Sequence, residues 1–159
     1  DEPMTNITFQ YNASAASGSG SGSSTIMVKD INSGSANGAP SGLTAVGNTL
    51  FFRADDGTNG TELWKSDGTA AGTVMVKSTP PSENTAVGNT LYFSANDGTN
   101  GSELWKSDGT ASGTVMVKDI NSGSGDSSPS SLTAVGNTLY FQADGTNGDE
   151  LWKYDIFWR

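Results

Sequence analysis

The chain has 159 residues, a formal net charge of −9, 33% apolar residues and 21 glycines. Its acidic balance argues against nucleic-acid and anionic-membrane partners, which select basic surfaces. The chain contains neither cysteine nor histidine, which removes disulfide frameworks, thiolate metal sites, the Ser-His-Asp arrangement and the commonest general base.

No apolar run approaches the ~18 residues that a membrane-spanning helix needs. A start at Asp1 is what a processed mature protein would show. Residues 1–12, DEPMTNITFQYN, carry a period of two: Ile7, Phe9 and Tyr11 alternate with Asn6, Thr8 and Gln10. That alternation predicts a half-buried strand. Residues 13–24, ASAASGSGSGSS, read as a flexible Gly/Ser linker. Residues 25–159 form a repeat body.

Within that body, TAVGNTLFFRADDGTNGTELWKSDGTAAGTVMVK (44–77) returns as TAVGNTLYFSANDGTNGSELWKSDGTASGTVMVK (85–118). It starts a third time at Thr133 as TAVGNTLYFQADGTNGDELWKYD. Each full copy predicts four strands, which we label a to d. Strand a is TAV, followed by a Gly-Asn pair (Gly47-Asn48, Gly88-Asn89, Gly136-Asn137) whose positive φ suits a tight hairpin. Strand b is TLFFRA, TLYFSA or TLYFQA, and the loop DGTNG leads to strand c, ELWK. The loop SDGTAAGT or SDGTASGT then leads to strand d, TVMVK. No segment carries a helical period, so the chain is all-β.

The third copy lacks strand d, while Thr25–Ile31 reads TIMVKDI and matches TVMVKDI at 114–120. The body thus runs d, abcd, abcd, abc. An open array can begin in any phase, so this permutation favours closure, with the first strand completing the last unit and removing exposed edges.

At ELWKSDGT (62–69 and 103–110) the chain resembles the ELWxxDGT repeat family of bacterial secreted and surface proteins. The resemblance covers residues 25–156 and weakens at ELWKYDIFWR, where Tyr154 and Ile156 replace Ser and Gly. It implies propeller-like blades, an extracellular or cell-surface setting and no established catalytic activity. The expected fold is therefore three four-stranded repeats closed into a propeller-like ring, with a β-trefoil-like body or a piece of a larger propeller as alternatives. The extra N-terminal strand sits outside it on its linker.

Four constellations could carry function. Asp56, Asn59 and Glu62 recur as Asp97, Asn100 and Glu103, and again as Asp144, Asn147 and Glu150. Oxygen ligands around Gly-rich turns suit Ca²⁺. Alternatively, Asp-Gly and Asn-Gly only shape turns, with Glu paired to a Lys across the sheet. Trp64, Trp105 and Trp152 could be sugar-stacking platforms of a glycan-binding ring, or spacers in a thin core. Asn6, Asn12, Asn59 and Asn100 stand in N-x-[ST] glycosylation sequons, which Asn147-Gly-Asp loses.

Finally, the tethered strand with Ile7, Phe9 and Tyr11 needs a sheet edge, and Ile156, Phe157 and Trp158 make an apolar tail that could receive it. Docking on the same chain, docking on a neighbour, and disorder all remain open. A long tether favours the neighbour, since an intramolecular hairpin needs only about 2–5 residues. The function this predicts is a non-enzymatic structural subunit of an extracellular filament, with the chain itself as partner, glycans as further partners and no required cofactor. A carbohydrate- or calcium-binding module is the rival. An enzyme fits least, because acidic pairs on repeated turns offer no distinct acid and base.

Overall fold

The computed structural model describes residues 23–157. The expected N-terminal strand, most of the linker and Trp158 lie outside the described residues. Eleven strands and no helix follow from Ser41 onward: β1 (Ser41–Val46), β2 (Thr49–Asp55), β3 (Thr61–Ser66), β4 (Val74–Lys77), β5 (Asn84–Val87), β6 (Thr90–Asn96), β7 (Ser102–Ser107), β8 (Val115–Lys118), β9 (Ser130–Val135), β10 (Thr138–Gly145) and β11 (Gly148–Asp155). They make three antiparallel sheets, ordered β1-β2-β3-β4, β5-β6-β7-β8 and β9-β10-β11. The all-β reading and the strand order a-b-c-d within each repeat hold.

Local chemistry explains the elements. The Gly-Asn pairs close two-residue hairpins, with Val46 opposite Thr49, Val87 opposite Thr90 and Val135 opposite Thr138. Their glycines sit at φ +57°, +58° and +57°, where a side chain would strain the backbone. The SDGT loops are satisfied from within. Asp67 accepts the Thr69 N–H at 2.9 Å and the Thr69 hydroxyl at 2.7 Å, and Ser66 and Thr73 share a 2.7 Å hydroxyl bond. Asp108, Thr110, Ser107 and Thr114 repeat this set. Thus SDGT…GT is a turn-building motif: hydrogen bonds within the loop reverse the chain between strands c and d.

Sheet two buries both faces, which explains its run Leu91-Tyr92-Phe93. Phe51 and Leu63 on one face of sheet one pack with Leu91, Phe93 and Trp105 of sheet two. Tyr92 and Leu104, on the opposite face of sheet two, pack with Leu139 and Phe141 of sheet three. We call the face carrying Phe51 and Leu63 the front and the face carrying Phe52 and Trp64 the back. Fronts pack on backs at both joints.

The third unit differs from expectation. Among the described residues its sheet has three strands instead of four. Thr25–Ile31, expected to supply that strand, pairs in no sheet. It lies against the back of sheet one, where Ile31 packs with Phe52, Ala54 and Trp64. Among the described residues the three sheets are not joined into a hydrogen-bonded ring. The β10–β11 hairpin is also tighter than its counterparts. One residue fewer separates Ala143 from Glu150, so Thr146 and Asn147 form a two-residue turn between Gly145 and Gly148.

Candidate functional site

The b–c loops fold on their own polar groups. Asp56 accepts the N–H groups of Thr58 (2.9 Å) and Asn59 (3.1 Å) and, weakly, the Asn59 amide (3.5 Å). Asp97 does the same with Thr99 and Asn100 at 2.9, 2.9 and 2.8 Å. These bonds hold both carboxyls below the ordinary aspartate pKa, with the Thr58 N–H the largest influence on Asp56 and the Asn100 N–H on Asp97. Asp144 instead lies in β10, opposite Asp149, and Asn147 is in the hairpin turn.

The glutamates part company with their loops. Glu62 and Glu103 are buried, whereas Glu150 is exposed. Ser78 donates its hydroxyl to Glu62 at 2.9 Å, and the other Glu62 oxygen is buried with no partner among the described residues. Burial raises the Glu62 pKa, with the charges of Asp56 and Asp55 adding to it. Glu103 is a staple. It accepts the Ile120 N–H (2.9 Å), the Ser127 hydroxyl (2.6 Å) and, at longer range, the N–H groups of Ser127 and Asn121 (3.3 and 3.5 Å). It thereby fastens the segment between β8 and β9 to sheet two. The donor sets thus serve turns and chain crossings, and among the described residues no three acidic side chains converge. Asn59 and Asn100 remain on the loop surfaces.

Trp64 and Trp105 are buried and Trp152 is half-buried. Each lies on a back face beneath a lysine from the preceding d segment: Lys29 over Trp64 at 5.8 Å, Lys77 over Trp105 at 5.3 Å and Lys118 over Trp152 at 5.6 Å. These cation–π contacts reach from one unit to the next. Lys29 also donates to the Thr73 carbonyl at 2.7 Å, as Lys77 does to Thr114 at 2.8 Å. Trp64 and Trp105, so enclosed, present no open face on which a sugar could stack.

Of the tail, Ile156 is half-buried against the second joint, its N–H bonded to the Asn137 carbonyl at 2.8 Å. Phe157 is exposed. Ile7, Phe9, Tyr11, Asn6, Asn12 and Trp158 lie outside the described residues.

What the sequence reading missed are the two ends of the stack. On front faces, Leu63 and Leu104 are 0% and 1% exposed and Val46 and Val87 are 6% and 5% exposed. Their counterparts on sheet three, Leu151 and Val135, are 78% and 61% exposed. At the other end, the back of sheet one carries an apolar groove of about 260 Å³ lined by Met27, Val28, Ile31, Leu43, Leu50 and Phe52. The signal lay in the repeat phase, which leaves a lone d segment at one end and an abc unit at the other.

No protein-family model, curated protein or solved structure matches the chain.

Proposed function

We propose that this chain is a non-catalytic structural subunit of an extracellular assembly, associating with further copies of itself. The observation that carries this reading is the sheet-three front face, where Leu151 and Val135 stand in solvent although the same side chains are sealed at both internal joints. An apolar face of this kind marks an interaction surface. A blade-like, propeller-type stacking fits the way the first strands of successive sheets neighbour one another, β1 beside β5 and β5 beside β9. Self-sufficient turns and enclosed tryptophans favour a scaffold over a ligand-binding module. In this reading Asn59 and Asn100 carry glycans on the outer loops, and the strand with Ile7, Phe9 and Tyr11 docks on a neighbouring subunit.

Sedimentation velocity of the full chain over a wide concentration range, with electron microscopy of the heaviest fraction, tests this. Concentration-dependent growth into rings or filaments is expected. A single monomeric species at every concentration would overturn it.

A further inference from the structure

The two ends of the described stack carry complementary parts of one repeat unit, a lone d segment and an abc sheet. Sheet three has strands a, b and c but no d. Residues 25–35, TIMVKDINSGS, differ from 114–124 only at Ile26 (Val115), yet they have no sheet of their own. This segment is nonetheless already shaped for the role. Asp30 bonds the Gly34 N–H at 3.3 Å as Asp119 bonds that of Gly123 at 3.2 Å, and the two glycines have φ +92° and +88°. Lys29 stands to Trp64 and Thr73 as Lys77 stands to Trp105 and Thr114. The segment therefore holds, on the back of sheet one, the position that strand d of a preceding unit would take, without that unit's other three strands.

We infer that residues 25–29 of one copy add to the outer edge of β11 in a second copy, which is unpaired among the described residues, completing its third sheet and seating its front face on the first sheet's back face. This rests on the self-association reading above and assigns it a surface, a register and a polarity. The occupant is a second copy because the internal joints already display the contact, residue for residue. In sheet one, β3 and β4 pair Leu63 with Lys77, Trp64 with Met75 and Lys65 with Val74. In the proposed joint, Leu151 pairs with Lys29, Trp152 with Met27 and Lys153 with Ile26.

Ile26 and Met27, 76% and 77% exposed here, would gain the cover that their counterparts Val74 and Met75 have, at 37% and 41%. Leu151 and Val135 would close on the Leu50–Phe52 groove, as Leu63 and Val46 close on Leu91 and Phe93. Two polar groups would find partners too. Glu150 would accept the Ile31 and Asn32 N–H groups, as Glu103 accepts those of Ile120 and Asn121. Lys153 would exchange Asp155 for the Gly68 carbonyl, as Lys65 donates to Gly109 at 2.7 Å. Such strand addition joins unlike surfaces head to tail, so it either closes a ring of copies or runs on as a filament.

The test uses two full-length variants, Leu151→Asp and Met27→Pro. Each changes an exposed residue, and Met27 lies in no strand, so circular dichroism should match wild type. Each alone should weaken association at least ~100-fold, by a buried charge in one case and a blocked backbone donor in the other. Mixed together, they should form a 1:1 dimer and nothing larger, because one intact half of the joint remains on each. Wild-type growth by either single variant, or no dimer from the mixture, overturns the inference. If removal of residues 1–22 abolishes assembly while both variants still assemble, the self-association reading stands and this joint falls. If wild type never assembles, the reading itself falls. As a check on register, Ile26→Cys with Lys153→Cys should give a disulfide-linked ladder in this cysteine-free chain.

Discussion

Glu103→Gln should destabilise the fold, whereas Glu62→Gln at the equivalent position should stabilise it. The carboxylate of Glu103 accepts four hydrogen bonds, two at each oxygen, and donates none. An amide there turns two of its own hydrogens toward donors, whichever oxygen it replaces. Bonds to a charged acceptor are worth ~1.5–3 kcal/mol each and are not additive, so a loss of about 2–3 kcal/mol is expected. For a chain of this size that corresponds to a melting temperature lower by roughly 4–12 °C.

Glu62 has one partner, Ser78, and a second oxygen buried without one. Glutamine keeps the Ser78 bond and removes a desolvated charge, while the amide remains poorly satisfied. The net gain is therefore small, up to about 1 kcal/mol. Glu150→Gln, at the exposed third position, should stay within about 0.5 kcal/mol of wild type. Urea unfolding at pH 7, paired with thermal melts, reads all three. Shifts of the same sign and size at Glu62 and Glu103 would refute the view that these repeated glutamates do different work.

The Glu62 effect should depend on pH. Its pKa is raised in the fold, so the favourable contribution of the protonated form is complete below the unfolded value near 4.5 and is lost as pH rises through the folded value. The stability gap between wild type and Glu62→Gln should therefore narrow on acidification, as read by urea titrations from pH 7 to 4. The loop aspartates run the other way. Asp56, Asp97, Asp67 and Asp108 are lowered by turn hydrogen bonds, so they stabilise above about 3.8 and lose that as pH falls through their depressed values. Gly109→Ala places a methyl 3.2 Å from the Phe51 ring at φ +88° and should cost about 1–2 kcal/mol in denaturant unfolding. Gly68→Ala, at φ +90° with open space around it, should cost only the backbone part, about 1 kcal/mol. Trp105→Ala should cost about 3–5 kcal/mol, and the half-buried Trp152→Ala less, by the same assay.

Much of this fold is written locally, and for that reason it could be read. Gly-Asn between apolar runs names the hairpin, and SDGT with a Thr further on names the c–d turn, because each depends on residues a few positions apart. The repeat phase was equally plain, but its meaning was not. Thr25–Ile31 can complete sheet three of its own chain or lie on the back of sheet one, and the contacts of Lys29 with Trp64 and Thr73 and of Ile31 with Phe52 distinguish them. The partners of the glutamates were hidden for a related reason. ELWK suggested an oxygen ligand or a lysine pair, whereas the partners of Glu103 are backbone and hydroxyl donors 17 to 24 residues onward. Backbone donors leave no mark in a sequence. Trp105 and Trp152 lie at joints between sheets and Trp64 lies against Ile31, which a single repeat does not reveal.

The lysine that leaves each d segment to lie over the next tryptophan gives the chain a direction. Each sheet receives cover on its back face from the segment or sheet before it, and sheets one and two lend cover to the sheet that follows. On a ribosome, sheet one would emerge with Lys29 already waiting but its front face bare until Leu91 and Phe93 arrive. Among the described residues, sheet two alone has a neighbouring sheet on each face. Amide exchange should be slowest in β6 and β7 and quicken toward both ends of the stack, so the molecule would loosen from its termini inward.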